Sequence, residues 1–185
     1  MTAETLKSAS ITTLDATIPP SVNTTGKGSK GRLTSVSDTI LPVTGKTAPS
    51  FYKIVRIPSQ AVVKHVLVQA AAATDFDADI GLYFSDSTID GTLPANQGAV
   101  IDSDYFATAY DFDAAIVNMT DVTYLNPTTG YLITDSNKPI WNGPNIVVAL
   151  STLTKDPGGF FDICLTTTVT NSVPLSIYLE CQYIE

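Results

Sequence analysis

Apolar and polar positions alternate most clearly between residues 77 and 86. One side of an extended chain there is apolar and consists of Ala78, Ile80, Leu82 and Phe84. The opposite side consists of Asp77, Asp79, Gly81, Tyr83 and Ser85. Because successive side chains of a strand point to opposite faces, this pattern predicts a strand with one dry face. The preceding run from Val62 is denser in apolar residues, which is typical of a strand inside a two-layer core.

Further strand candidates follow one another at short spacing, separated by Pro, Gly, Asn and Asp. They cover residues 32–43, 50–57, 62–73, 77–85, a weaker pair within 99–124, then 146–153, 160–170 and 175–184. No segment has a convincing long helical period, although a short helical turn is expected at 138–142. The pattern predicts an all-β protein in which residues 32–185 form a jelly-roll-like antiparallel β-sandwich of about eight strands.

Residues 1–31 differ from the rest of the chain. They are rich in Ser and Thr and end in the glycine-rich run 26–31, so we interpret them as an extended arm with a flexible loop. The run 26–31 matches the G-x-G-x-x-G fingerprint for dinucleotides, but no strand precedes it and a strand is predicted where that fingerprint needs a helix.

The arm carries widely spaced apolar residues that suit an extended peptide crossing another surface, and basic residues stand at its base. We predict that it contacts a neighbouring subunit or a larger shell; the alternative is an ordinary frayed terminus. The predicted assembly contacts are Leu6, Ile11, Leu14, Ile18, Val22, Lys27, Lys30 and Arg32.

Composition narrows the functional classes. The length of 185 residues favours one domain, and the net charge of -8 disfavours nucleic acid as a partner. No stretch is apolar enough for a membrane span, and the first residues lack the pattern of a signal peptide, so we expect synthesis in the cytoplasm. Most basic residues precede residue 57, whereas residues 75–121 are acidic. This polarity fits either a solvated face or oriented contacts in an assembly.

Two acidic groups could carry chemistry. Asp75, Asp77 and Asp79 begin like a calcium loop, but Ile80 and Asp86 occupy the sixth and twelfth positions, where an EF-hand needs Gly and Glu. They are therefore weak calcium candidates, and the alternative is the wet face of a strand. The second group surrounds aromatic residues that could stack on sugars or simply form core. It consists of Asp102, Asp104, Asp111 and Asp113 with Tyr105, Phe106, Tyr110 and Phe112.

The sequence offers few residues that could act in covalent catalysis or bind a cofactor. His65 is the one histidine and is expected to be a hydrogen-bonded structural residue, because no motif presents a nucleophile beside it. Cys164 and Cys181 are predicted on different sides of their strands, which excludes a disulfide if those strands pair directly. The sequence thus predicts a protein that is not an enzyme and that needs no cofactor or metal.

Several stretches together resemble small virion structural proteins of tailed bacteriophages, and their layout is similar to that of capsid decoration, or cement, proteins. The resemblance spans residues 31–184. It is carried by Gly31-Arg32-Leu33, by VRIPS at 55–59 and AVVK at 61–64, by ADIGLYFSD at 78–86, by 102–107 and by DPGGFFDI within 156–163.

This resemblance implies a jelly-roll-like sandwich without catalysis that binds the outer surface of a phage capsid. The implied partner is the major capsid protein, the implied location is the virion surface, and a homo-oligomer is expected. An alternative function is a carbohydrate-binding β-sandwich or phage adhesin, with or without calcium.

Overall fold

A computed structural model describes most of the chain: residues 5–16, 32–43, 47–71, 76–86, 97–126, 128–143, 156, 158–169 and 176–185. These residues contain nine strands and one short helix. The elements are β1 (Thr5–Lys7), α1 (Ala9–Ala16), β2 (Leu33–Ile40), β3 (Phe51–Pro58), β4 (Val62–Ala70), β5 (Asp77–Phe84), β6 (Val100–Asp111), β7 (Ile116–Asp121), β8 (Phe160–Thr167) and β9 (Ile177–Ile184). Single 3-10 turns lie at Ile133–Asp135 and Ile140–Asn142. Among the described residues, no helix has the length and apolar character to cross a bilayer.

The strands form two sheets. The larger sheet has the order β1-β3-β8-β5-β6, and the smaller one has the order β2-β9-β4-β7. Among β2 to β9 every pairing is antiparallel, and only the β5–β6 connection stays within one sheet. Eight strands divided in this way between two sheets form a jelly roll. The predicted fold class is therefore confirmed.

The core lies between the sheets and follows the predicted alternation. Ala78, Ile80 and Leu82 on β5 are fully buried, and Ile80 and Leu82 oppose Leu165 and Ile163 of β8 in register. On the smaller sheet, Val66 and Val68 of β4 face the same core. The weaker strand pair and the turn near residue 140 are also confirmed, whereas the candidate strand at 146–153 lies outside the described residues.

The second face of β5, predicted to be wet, is largely covered, so that prediction was wrong. Tyr83 packs edge-on against Phe51 at 6.0 Å between ring centroids and shares a 2.7 Å hydrogen bond with Thr166. At Gly81 an added Cβ would lie 2.1 Å from the Ser103 carbonyl oxygen, because β6 curls over this position. Only Asp77 and Asp79 of this face stay partly exposed.

The two cysteines lie on β8 and β9 in different sheets, so these strands do not pair directly, which was the condition for excluding a disulfide. Both thiols are free and fully buried. Burial raises the pKa of Cys164 to about 12 and raises the pKa of Cys181 as well. Both thiols consequently remain protonated and unreactive at neutral pH.

Candidate functional site

The described part of the N-terminal region, residues 5–16, is called the N-terminal segment here. It is not extended throughout: β1 is followed directly by α1, so the prediction of a region without a helix was wrong for residues 9–16. Ser8 explains where the helix begins, because its Oγ accepts a hydrogen bond from the Ile11 amide at 3.3 Å. A serine at the N-cap satisfies amide groups that have no partner within the helix.

The N-terminal segment lies on the chain's own larger sheet. β1 pairs in parallel with β3, with Leu6 opposite Tyr52, and the Ser8 amide donates to the Lys53 carbonyl at 2.8 Å. Leu6 packs against the core cluster, and Ile11 is fully buried. Two of the predicted assembly anchors therefore make contacts within this chain.

Of the other predicted assembly residues, the structure describes the side chain of Arg32 only. Arg32 is exposed and directly precedes β2. The side chain of Leu14, together with Ile18, Val22, Lys27 and Lys30, lies outside the described part of the structure.

A cluster of charged side chains lies beneath the N-terminal segment. Arg56 on β3 binds Asp162 on β8 through two hydrogen bonds, Nε to Oδ1 at 2.6 Å and Nη2 to Oδ2 at 3.0 Å. Its Nη1 also donates to Asp15 of α1 at 2.6 Å. Lys7 of β1 contacts Asp15 at 2.8 Å and Asp86, just after β5, at 2.6 Å. Lys7 and Asp15 thus tie the segment to the sheet.

The outer face of the larger sheet around Lys53, Arg56, Asp86 and Asp162 is called the docking face here. The exposed fraction of these side chains is 6% for Lys53, 2% for Arg56 and 0% for Asp162, but 26% for Asp86. Charges removed from water to this degree need partners, since an unpaired buried charge is strongly destabilising. The docking face is neutral in sum, with two cations and two carboxylates.

Proton affinities in this cluster reflect burial and pairing. Burial alone would lower the pKa of Arg56, but hydrogen bonds and attraction from Asp162 and Asp15 raise it above its ordinary value. Burial raises the pKa of Asp162, with Arg56 acting in the opposite direction. Burial would also raise the pKa of Asp86, but the hydrogen bond from Lys7 and the charges of Lys53, Lys7 and Arg56 lower it.

Sequence reasoning missed this cluster, although a signal for it was present. Lys53 and Arg56 interrupt the apolar strand FYKIVRIP, and Asp162 interrupts the apolar strand FFDICL. Charges of opposite sign inside two strands that neighbour each other predict a buried ion pair. The contact of Lys7 with Asp86 also shows that the basic early chain and the acidic middle meet within one molecule.

Of the predicted calcium candidates, Asp77 alone lies in an acidic group of the described residues, and its neighbours there were not predicted. Ligand atoms of Asp77, Asp111 and Asp113 lie within 4.8 Å of one another. Asp79 lies apart from this group and accepts a 2.8 Å hydrogen bond from the Ala109 amide, whereas Asp75 lies outside the described residues. Two oxygens of the group already accept internal bonds: Asp113 Oδ1 from the Phe76 amide and Asp111 Oδ1 from the Asp113 amide.

The aromatic residues between 102 and 112 do not form a sugar-binding platform. Tyr105, Phe106 and Phe112 are fully buried, and only Tyr110 is partly exposed. Tyr105 and Phe106 pack edge to face at 5.2 Å between ring centroids. Their core role is confirmed, because buried rings present no face on which a sugar ring could stack.

His65 is hydrogen-bonded, as expected, but it lies on the exposed face of β4. Its Nδ1 is 2.7 Å from Asp121 Oδ2, and half of its side chain is exposed. Asp121 also accepts a 2.9 Å hydrogen bond from the Thr123 amide. Burial acts to raise the pKa of Asp121, but the bonds from Thr123 and His65 lower it overall.

The fold defines this protein as an eight-stranded jelly roll with an additional N-terminal strand and helix. No protein-family model and no curated protein sequence matches the chain. A chain of the cyanophage Pam1 capsid asymmetric unit is similar in structure, with a TM-score of 0.50 and 11% sequence identity. The match covers 91% of this chain and 95% of that chain. At this level of identity the likeness establishes the shared fold.

Proposed function

We propose that this protein is a non-enzymatic structural component of a bacteriophage virion, and specifically a decoration protein that binds the outer surface of the capsid. The observation that carries the proposal is the match of nearly the whole jelly roll to a chain of a phage capsid asymmetric unit. Since one fold hosts many functions, the surface of the chain also has to suit such a role.

The surface chemistry of the chain supports a binding role. The outward face of the smaller sheet carries polar residues held in a fixed network: Ser35 donates to Glu180 at 2.8 Å, and Gln182 donates to the same carboxylate at 2.8 Å. These two bonds and that of Tyr178 lower the pKa of Glu180. Polar side chains held in such a network suit contact with another protein surface, because they lose little freedom on binding.

Arms and several copies would strengthen such binding. An N-terminal arm and a homo-oligomer would each add weak contacts between the protein and one particle. Linked contacts bind far more tightly than single ones. The proposed partner is the major capsid protein. The remaining anchors of the predicted arm, Leu14, Ile18, Val22, Lys27, Lys30 and Arg32, are assigned to contacts with that shell or with a neighbouring copy.

Cryo-EM of virions from the phage that carries this gene tests the proposal. The expected result is jelly-roll density at fixed positions on the outside of the shell, at a constant ratio to the major capsid protein. Density only in the tail or inside the shell would overturn the capsid-surface role. Absence from purified virions would overturn the virion role altogether.

A binding assay separates this role from catalysis and sugar binding. Shells stripped of the protein should bind it again in a sedimentation assay. The variant His65→Gln keeps a polar side chain beside Gln182 on this face and should still bind. Turnover of a glycan or ester by the wild-type chain that is lost in His65→Gln would contradict the non-enzymatic role. A thermal shift with glycans but no rebinding to shells would favour an adhesin.

A further inference from the structure

We propose that the N-terminal segment is exchangeable between copies of this chain: residues 5–16 of one subunit bind the docking face of a neighbouring subunit with the contacts they make here within one chain. The proposal goes beyond the role as a decoration protein. It concerns two copies of this chain in solution, and its test requires no capsid.

The segment is a small unit whose structure depends on the surface beneath it. α1 has only 8 residues, and a helix this short is marginal in water. β1 has 3 residues and pairs only with β3 among the described strands. Burial of Ile11 and the two salt bridges to Arg56 and Asp86 therefore stabilise the segment, and any copy of the docking face provides them.

The covalent connection does not require the segment to bind its own chain. Residues 17–32 separate the end of α1 from the start of β2, which belongs to the other sheet. Sixteen residues can span up to about 50 Å when extended, which exceeds the diameter of a small domain. A neighbouring docking face is therefore within reach of the segment by chain length.

Charge complementarity identifies the occupant as a copy of this segment. Asp15 gives Arg56 a second carboxylate besides the buried Asp162. Lys7 gives Asp86 a cation. An undocked segment would leave Arg56 without Asp15 and Asp86 without Lys7, so a filled docking face is favoured whichever chain fills it. Because the exchanged contacts equal the original ones, only concentration decides between them, which makes exchange a low-cost route to oligomers.

Disulfide trapping between two single variants tests the exchange. Thr5 and Phe51 are register partners on β1 and β3, and both line an open groove of about 600 Å³ that gives oxidant access. Neighbouring strands lie about 4.8 Å apart, within the Cα separation that a disulfide accepts. Thr5→Cys and Phe51→Cys proteins are mixed in equal amounts at about 1 mM, comparable to the effective concentration of a linked segment. The mixture is oxidised, and disulfide-linked peptides are identified by mass spectrometry.

The expected result is an interchain disulfide between positions 5 and 51. A matched control mixes Thr5→Cys with Val117→Cys, because Val117 is 71% exposed and lies on the other sheet. The 5–51 product should exceed the 5–117 product at least about ten-fold if docking, rather than collision, brings the thiols together. The native cysteines are buried and should not compete.

The double variant Thr5→Cys/Phe51→Cys reports on the register itself. It should form a disulfide within the chain at low concentration and covalent dimers increasingly at high concentration. The exchange would be overturned by two results together. The double variant would cross-link only within chains, and the mixture of single variants would give no more 5–51 product than the 5–117 control. No cross-link in the double variant would overturn the docked arrangement on which the inference rests.

Discussion

Arg56 and Asp162 form a two-point ion pair across β3 and β8, with N–O distances of 2.6 and 3.0 Å, on the side of the sheet that faces away from the core. Asp162 is fully buried, and its partner Arg56 also binds Asp15 of the N-terminal segment. A charged pair in such a position contributes to stability mainly through the penalty that follows when one partner is removed.

Removal of one partner of this pair is expected to be costly. Arg56→Met should lower the free energy of unfolding by about 3–5 kcal/mol, because Asp162 keeps its burial and loses its main partner. The double variant Arg56→Met/Asp162→Leu should recover most of that loss. Urea denaturation measures all three proteins. The control His65→Gln removes an exposed pair and should change stability by less than about 1 kcal/mol. A double variant no more stable than Arg56→Met would contradict this account.

The two faces of β5 should respond differently to substitution. Leu82 is fully buried in the core, so Leu82→Ala should destabilise by about 2–5 kcal/mol. Asp79 is partly exposed, and Asp79→Asn keeps the oxygen that accepts from the Ala109 amide, so its cost should stay below about 1 kcal/mol. Chemical denaturation checks the order. A reversed order would mean that the assignment of the faces is wrong.

Gly81→Ala should destabilise more than a typical exposed-strand substitution. The new methyl group would lie 2.1 Å from the Ser103 carbonyl oxygen, a backbone atom of β6 that cannot rotate away. We expect a loss of about 2–4 kcal/mol, somewhat above the usual cost of overpacking, together with chemical-shift changes around 102–104. An unchanged midpoint of thermal unfolding would show that β6 moves freely at this point.

Acid should release the N-terminal segment. The pKa of Asp86 in the folded chain is below its ordinary value of 3.8, because the Lys7 bond and nearby cations outweigh burial. Its stabilisation is therefore complete above that value and is lost as the pH falls through the lowered pKa. Pepsin digestion between pH 2 and 5 should cut residues 5–16 increasingly below about pH 3.8.

The variant Asp86→Asn isolates the contribution of Asp86 from that of Asp162, whose pKa is raised by burial and whose effect has the opposite sign. In this variant the segment should already be cut more rapidly at pH 5, and the rise in cutting below pH 3.8 should be smaller. Equal pH profiles for both proteins would exclude Asp86 as the titrating group.

Much of the sandwich could be predicted from local patterns, since the core side of β5 follows strict alternation and β3, β4, β8 and β9 are distinctly apolar. The burial of the outer face of the larger sheet could not be predicted, because it depends on which distant segment lies over that face. Cys164, Asp162 and Thr166 share a side of β8 that resembles a wet face in sequence. That side becomes dry because β6 curls over Gly81 beside Cys164, Tyr83 binds Thr166, and the N-terminal segment binds Arg56 beside Asp162.

The helix α1 could not be predicted from local sequence either. Its sequence ASITTLDA has two β-branched threonines in succession and weak amphipathic character, so local propensity favours no helix. Ser8 is the one local sign, as an N-cap residue. The helix forms because Ile11 is buried and Asp15 binds Arg56 on β3, which is 41 positions away in the sequence.

The short strand β1 also has a protective consequence. It occupies the hydrogen-bonding side of β3 along Phe51, Tyr52 and Lys53, which would otherwise be an open edge of the larger sheet. Open edges are templates for strand addition and aggregation. Whether the covering strand comes from the same chain or from a neighbour, the edge stays capped. The edge that remains on this side is β1 itself, and a strand of only 3 residues offers little backbone to an added strand.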